Sequence, residues 1–201
     1  MNDREHARKF KNSYFVLRHG ESVPNTRGVI LSDLEEGKKT DHTLTKNGEE
    51  QVLRSVHEAK QGGFLNSGTI IYASPFSRTR RTAEIAKEVL CVEAEIVLDE
   101  RLRERWFGDW EGTGNANYQK VWDRDFVDAD HNDANVESTA EVARRVAGLI
   151  SDLEEAYSGK VILLVSHGDA LQILQTFFED QPSSLHRGIE HLKVAEVRQV
   201  G

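Results

Sequence analysis

A single cysteine, Cys91, stands in a chain of 201 residues. One thiol excludes a disulfide framework and a four-thiolate zinc centre, and it fits a reducing compartment. Long apolar runs are missing too: the longest, Val161–Val165, falls far short of the roughly 20 residues of a membrane-spanning helix. The first twelve residues alternate charges through Asp3, Arg4, Glu5, Arg8, Lys9 and Lys11. They hold no apolar segment of the kind a secretory signal needs, so a cytoplasmic location is expected. Positive charge is in deficit, with 26 Lys and Arg against 34 Asp and Glu and a formal net charge of −8. A general nucleic-acid binder carries the opposite excess. Neither nucleic acid nor membrane is therefore expected as a partner, and the composition fixes no oligomeric state. Several reaction motifs are absent as well. No G-x-x-x-x-G-K-[ST], G-x-S-x-G or H-E-x-x-H occurs, which removes support for nucleotide triphosphatase, serine hydrolase and zincin chemistry. Cys91 lacks the arginine six residues on that a thiol phosphatase loop needs, since position 97 is valine.

What is present suits one globular domain with a sizeable core: 38% apolar residues, supplemented by 15 glycines. Strands are predicted at Tyr14–Leu17, Thr69–Ala73, Glu95–Leu98, Val161–Val165 and Leu192–Val197 from short apolar or alternating runs. Helices are predicted over 45–60, 76–90, 139–156 and 170–178. Thr45 serves as a cap for the first, and Ser138 with Glu141 forms a capping box for the third. Residues 22–44 lack periodicity and carry Pro24, Gly28 and Gly37, which predicts a long loop. The alternation implies a three-layer α/β/α fold with a largely parallel central sheet. Residues 103–136 break the rhythm. They gather Trp106, Trp110 and Trp122 with Phe107, Tyr118 and Phe126, as a small aromatic cap over the strand ends would.

Polar clusters fall at or near the carboxyl ends of the predicted strands, where open α/β sheets bind ligands. They are Arg18-His19-Gly20-Glu21, Ser74-Pro75-Phe76-Ser77-Arg78, Arg103-Glu104-Arg105 and Ser166-His167-Gly168. A histidine can act as a covalent nucleophile when neutral, and neighbouring cations such as Arg18 and Arg78 disfavour its charged form. Guanidinium groups match phosphate oxygens in geometry and charge, and Gly20 and Gly168 would let backbone approach a bound anion. Two histidines, two arginines and a nearby acid therefore suggest phosphoryl transfer through a phosphohistidine. The other histidines (6, 42, 57, 131, 186 and 191) are expected at the surface, and His186 and His191 are badly spaced for a zinc pair.

Six motifs sharpen this reading. They are Leu17-Arg18-His19-Gly20-Glu21-Ser22-x-x-Asn25, Leu44-Thr45-x-x-Gly48-x-x-Gln51, Ser74-Pro75-Phe76-x-Arg78-x-x-x-Thr82-Ala83, Leu102-x-Glu104-x-x-Phe107-Gly108-x-Trp110-Glu111-Gly112, Glu137-Ser138-x-x-Glu141-Val142-x-x-Arg145-Val146, and Val165-Ser166-His167-Gly168. In content and order the set resembles the histidine phosphatase superfamily, the phosphoglycerate-mutase-like group, over nearly the whole chain. Thr79 stands where the family usually has alanine. The resemblance implies that His19 is the nucleophile that becomes phosphorylated. It implies that Arg18, Arg78 and His167 hold the phosphoryl oxygens and that Asn25 adds a neutral donor. Glu104 would protonate the leaving alcohol and then activate water. Arg105 and Gly168 join the implied substrate contacts, and no metal or cofactor is needed.

Glu104-Arg105-x-Phe107-Gly108 is similar to a mutase motif, with phenylalanine in place of tyrosine, but Gly112-Thr113-Gly114-Asn115 offers no lysine where glycolytic mutases carry one. Segment 113–136 holds Lys120 and Arg124 as its only cations against five aspartates, a poor match for a bisphosphate. A phosphatase acting on a small phosphorylated metabolite is therefore favoured. A phosphoglycerate-type mutase and a non-catalytic phosphate-binding scaffold are the alternatives.

Overall fold

Strand residues of this chain are apolar on both faces, and each face meets its own helices. The computed structural model describes residues 10–201. The charged stretch through Lys9, and His6 within it, lie outside the described residues. Strands β1 (Ser13–Arg18), β2 (Ile70–Ala73), β3 (Val97–Leu98), β4 (Val161–Ser166) and β5 (Val197–Val200) form one sheet in the order β3-β2-β4-β1-β5. Side chains alternate across it, as the two-residue period of a strand requires. Phe15, Leu17, Ile71, Ala73, Leu163 and Val165 join one core, while Tyr14, Val16, Ile162 and Leu164 join the other.

Helices α1 (Val23–Arg27) and α2 (Leu34–Gly37) precede the longer α3 (Lys46–Gln61) and α4 (Ser77–Leu90), which cover the first face through Val52, Val56, Ile85 and Val89. Beyond α5 (Tyr118–Asp125), helices α6 (Thr139–Ala156) and α7 (Gly168–Phe178) cover the second through Val142, Val146, Leu149 and Leu174. The caps fall where the sequence puts them. Thr45 Oγ1 accepts from the Gly48 amide at 3.0 Å, and Ser138 and Glu141 bond reciprocally.

Two expectations change. Residues 22–44 are not one loop: Pro24 and Gly28, read as loop signals, start and stop α1, with Gly28 at φ 65° in its C-cap. The last strand is not Leu192–Val197 but Val197–Val200, antiparallel to β1. Leu192 is buried in the second core and Ala195 takes φ 59°, so the chain turns there and extends only afterwards. Residues 103–136 hold α5 and short 3-10 turns around a satellite core of Ile30, Phe107, Val121 and Val136. Ile30 ties this segment to the 22–44 region. Phe126, expected within the aromatic packing, is 71% exposed.

Candidate active site

The ends of β1, β2 and β4 are neighbours in the sheet, so Arg18-His19, Ser74 and His167-Gly168 arrive together. The His19 amide donates to Ser166 O at 3.1 Å and the Ser74 amide to Val165 O at 3.0 Å, which stitches the three loop starts into one platform. His19 is buried. Its Nδ1 lies 2.7 Å from Gly20 O, so that nitrogen carries the ring proton, because a carbonyl can only accept. Nε2 is then the bare lone pair, and Arg78 Nε donates to it at 3.2 Å. Burial first, then Arg78 and Arg18, hold the imidazole well below its usual pKa and keep it neutral.

Arg78 is buried, with Nη2 donating to Leu31 O at 3.0 Å and Nη1 without a partner among the described residues. Desolvation lowers its pKa to about 10, which still leaves it charged near neutral pH. Arg18 Nη1 donates to Leu192 O at 2.7 Å, and its buried Nε has no partner among the described residues. Gly168 opens α7 beside that guanidinium, where a Cβ would stand 3.1 Å from Arg18 Cζ. His167 Nε2 lies 2.8 Å from Ser74 Oγ, and its buried Nδ1 has no partner among the described residues. Its ring sits edge-on to that of His19, centroids 5.3 Å apart. Burial and Arg78 push its pKa well down as well.

Glu104 Oε1 accepts from the Arg105 amide at 2.9 Å and the Ala170 amide at 3.2 Å, which leaves Oε2 for proton transfer. Burial and the nearby Asp169 raise its pKa, against a smaller opposing effect of Arg78. Asn25 lines the same cavity. Its Oδ1 is held by the amide and hydroxyl of Ser22, so the amide nitrogen is the donor it can offer.

A cavity of about 450 Å³ joins Arg18, His19, Arg78, Glu104, Asn25 and Gly168. Larger recesses of about 880 and 570 Å³ contain none of these residues. Arg105 does not reach the cavity. Its guanidinium is fully buried on the far side, bidentate to Asp125 at 2.6 and 2.7 Å and 3.2 Å from Asp169. Gly20 does not face the cavity either. It packs on α3, where a Cβ would come within 2.4 Å of Gly48 O.

Sequence reasoning missed four contributors to the cavity. Asp169 follows His167-Gly168 directly and lines the wall. Tyr118 and Trp122, stacked at 5.4 Å and 7°, were read only as cap aromatics. His191, expected at the surface, is exposed yet lines the cavity with Nε2 2.7 Å from Arg18 Nη1. His131 and His186 are buried beside Asp125 and are not surface groups. No local pattern announces these contacts, because their partners lie in remote segments.

The model of the histidine phosphatase superfamily (branch 1) matches residues 14–201, and the chain belongs to that superfamily. It is 33% identical to the uncharacterized phosphatase PhoE of Bacillus subtilis, a match covering 80% of this chain and 74% of that protein. It is 34% identical to the probable phosphoglycerate mutase GpmB of Escherichia fergusonii, a match covering 80% and 71%. Among solved structures, Bacillus stearothermophilus YhfR superposes with a TM-score of 0.75 at 25% identity, covering 94% of this chain and 90% of that one. A mycobacterial glucosyl-3-phosphoglycerate phosphatase shares the fold, with a TM-score of 0.76 at 22% identity, covering 93% and 90%. Among the described residues no helix is long and apolar enough to cross a membrane.

Proposed function

We propose that this superfamily member is a phosphomonoesterase that works through a phosphohistidine at His19. The observation that carries the reading is the fixed tautomer of His19. With Nδ1–H committed to Gly20 O, Nε2 is the unprotonated nitrogen at a cavity lined by Arg18 and Arg78, and Arg78 Nε, which donates to it at 3.2 Å, must turn to a phosphoryl oxygen before that lone pair attacks. Nε2 attacks phosphorus as the ester P–O bond breaks, and the Oε2 proton of Glu104 passes to the leaving alcohol oxygen. The ring becomes cationic, and its Nδ1–H bond to Gly20 O strengthens. Glu104, now a carboxylate, takes a proton from water as that water attacks phosphorus and the P–Nε2 bond breaks. Inorganic phosphate departs, and both residues return to their starting protonation states. Arg18, Arg78 and His167 offer the unpartnered donors that stabilise the transferring group, so the arginines supply the positive charge that a metal supplies elsewhere.

A phosphatase is favoured over a mutase by the cavity wall. Among the described residues Arg18 and Arg78 are the only Lys or Arg that line it, and one phosphoryl group would occupy both. A second phosphate on the substrate would meet Pro24, Val29, Leu31 and the Tyr118–Trp122 pair instead. A small phosphorylated metabolite with a neutral remainder suits this wall. Rapid quenching of the enzyme with p-nitrophenyl phosphate labelled at phosphorus tests the mechanism. Label should appear on the wild-type protein as an acid-labile adduct and be absent in His19→Ala, with phosphate release lost by about 10⁴-fold or more. Full-rate release without labelled protein overturns it.

A further inference from the structure

Arg18 has more donors than the protein satisfies, and what orients it lies outside the recognised motifs. Nη1 is doubly engaged, with Leu192 O at 2.7 Å and His191 Nε2 at 2.7 Å. A guanidinium can only donate, so His191 Nε2 must carry the lone pair. Gln172 explains why it does. This buried side chain donates from Nε2 to Ile189 O at 2.6 Å, which turns its oxygen toward Arg187 Nη1 and His191 Nδ1. An amide oxygen 3.2 Å from Nδ1 requires the proton on Nδ1. The loop before β5 is thus pinned at three points by one glutamine.

We propose that His191 is a positioning residue for Arg18: fixed as its Nδ1–H tautomer by Gln172, it accepts from Nη1 and leaves the Nε and Nη2 edge of the guanidinium to the phosphoryl oxygens. The inference rests on reading the cavity as a phosphate site. Partial desolvation of the ring against the cavity wall, then the charges of Arg18 and Arg187, lower the His191 pKa to about 4 against weaker opposing effects of Asp169 and Glu196, so the acceptor persists at neutral pH.

Three substitutions separate orientation from bulk: His191→Ala, His191→Leu and His191→Gln. Glutamine Oε1 reaches about as far as histidine Nε2, whereas leucine matches the size without an acceptor. Calorimetric binding of inorganic phosphate and KM for p-nitrophenyl phosphate are the readouts. Ala and Leu should weaken phosphate binding and raise KM about tenfold, while Gln should stay within about threefold of wild type. Equal behaviour of Leu and Gln, or no change in Ala, overturns the inference. An imidazole ¹⁵N spectrum with the His191 proton on Nε2 overturns it as well. Wild-type protein that binds phosphate but never hydrolyses p-nitrophenyl phosphate overturns the phosphatase reading alone, because the binding constants still report on His191. Wild-type protein that fails to bind phosphate overturns both.

Discussion

Two arginines a short distance apart in the fold, Arg78 and Arg105, are both buried and meet opposite fates. Arg105 uses every donor group it has: Nε to Glu137 O at 2.6 Å, Nη1 and Nη2 to Asp125, and Nη1 again toward Asp169. Burial works against its charge, yet Asp125 and Asp169 outweigh it and raise its pKa. Arg78 has a histidine nitrogen, a carbonyl and one empty donor. Burial wins there, and its pKa falls. Isolated buried charge is costly, and proteins seldom retain it without a purpose. The paired arginine is scaffold, and the unpaired one is, on the proposed function, half of a contact whose other half is an anion. Arg18 Nε and His167 Nδ1, also buried and empty, belong with Arg78.

Glu104 stands on the boundary between the two regions, and it tests whether the cavity is chemical machinery. A general acid matters most when the leaving alkoxide is poor, because the proton must arrive as the P–O bond breaks. Glu104→Gln should slow phosphorylation of His19 by alkyl phosphates by about 10²–10⁴-fold. The loss with p-nitrophenyl phosphate should be much smaller in the same single-turnover measurement, since phenolate leaves readily. Equal losses on both substrates would reduce Glu104 to a structural carboxylate.

The arginine comparison itself breaks or holds on one pair of variants. Arg105→Ala leaves the buried carboxylates of Asp125 and Asp169 with only His131, His186 and the Trp122 indole as partners, and should cost about 3–5 kcal/mol of stability by denaturant titration. Arg78→Ala should lower kcat/KM by about 10²–10³-fold while leaving stability unchanged or improved, because it removes a desolvated charge. If Arg78→Ala destabilises as much as Arg105→Ala, the distinction between scaffold and site collapses.

The same contrast explains what the sequence could reveal. The short apolar runs of β1, β2 and β4, the Thr45 and Ser138 caps and the strand-end clusters are local, and local chemistry reads directly. Arg105 stands in a segment, Glu104-Arg105-x-Phe107-Gly108, whose likeness to a mutase motif puts it among the substrate contacts. Its side chain points the other way because Asp125 and Asp169, twenty and sixty-four residues on, receive it. His131 and His186 were misplaced for the same reason, since Asp125 is what makes their burial tolerable. Only the fold supplies such partners. The final strand slipped because Leu192–Val197 is apolar enough for a strand, while the left-handed turn at Ala195 is invisible in composition.

Acid should expose the unpaired region before the paired one. His19 and His167 have pKa values held well below 6.5 in the folded protein, whereas the unfolded chain titrates near 6.5. Below that value the unfolded state binds more protons, so stability falls as pH drops, by up to about 1.4 kcal/mol per pH unit for each histidine. Glu104, with its raised pKa, acts in the opposite sense: its contribution is present at low pH and fades as pH rises above the ordinary carboxylate range. His191, lowered to about 4, adds a third imidazole of the same sense, so denaturant midpoints between pH 7.5 and 5.5 should decline and His19→Gln should flatten the slope by roughly a third. A slope unchanged in His19→Gln would assign the acid sensitivity elsewhere.

The smallest expected effect lies in two glycines that look interchangeable in sequence, each directly after a strand-end histidine. Gly20 faces structure that cannot yield: a Cβ there would stand 2.4 Å from Gly48 O and 2.9 Å from Val52 Cγ2. Gly168 faces the far end of a flexible side chain, with Arg18 Cζ at 3.1 Å and Nε and Nη2 at 3.3 Å. Gly20→Ala should therefore cost stability, about 1–3 kcal/mol for forced overpacking. Gly168→Ala should leave stability nearly intact, because Arg18 can give by a few tenths of an ångström. That shift moves the Nε and Nη2 edge by which Arg18 is proposed to grip the phosphoryl group, so KM for p-nitrophenyl phosphate should rise by a few-fold, on the order of 1 kcal/mol in binding. Thermal midpoints and KM measured on both variants give the pattern directly. A stability loss in Gly168→Ala equal to that in Gly20→Ala would mean that Arg18 is packed as rigidly as scaffold, and that the fork is not free to close on a ligand.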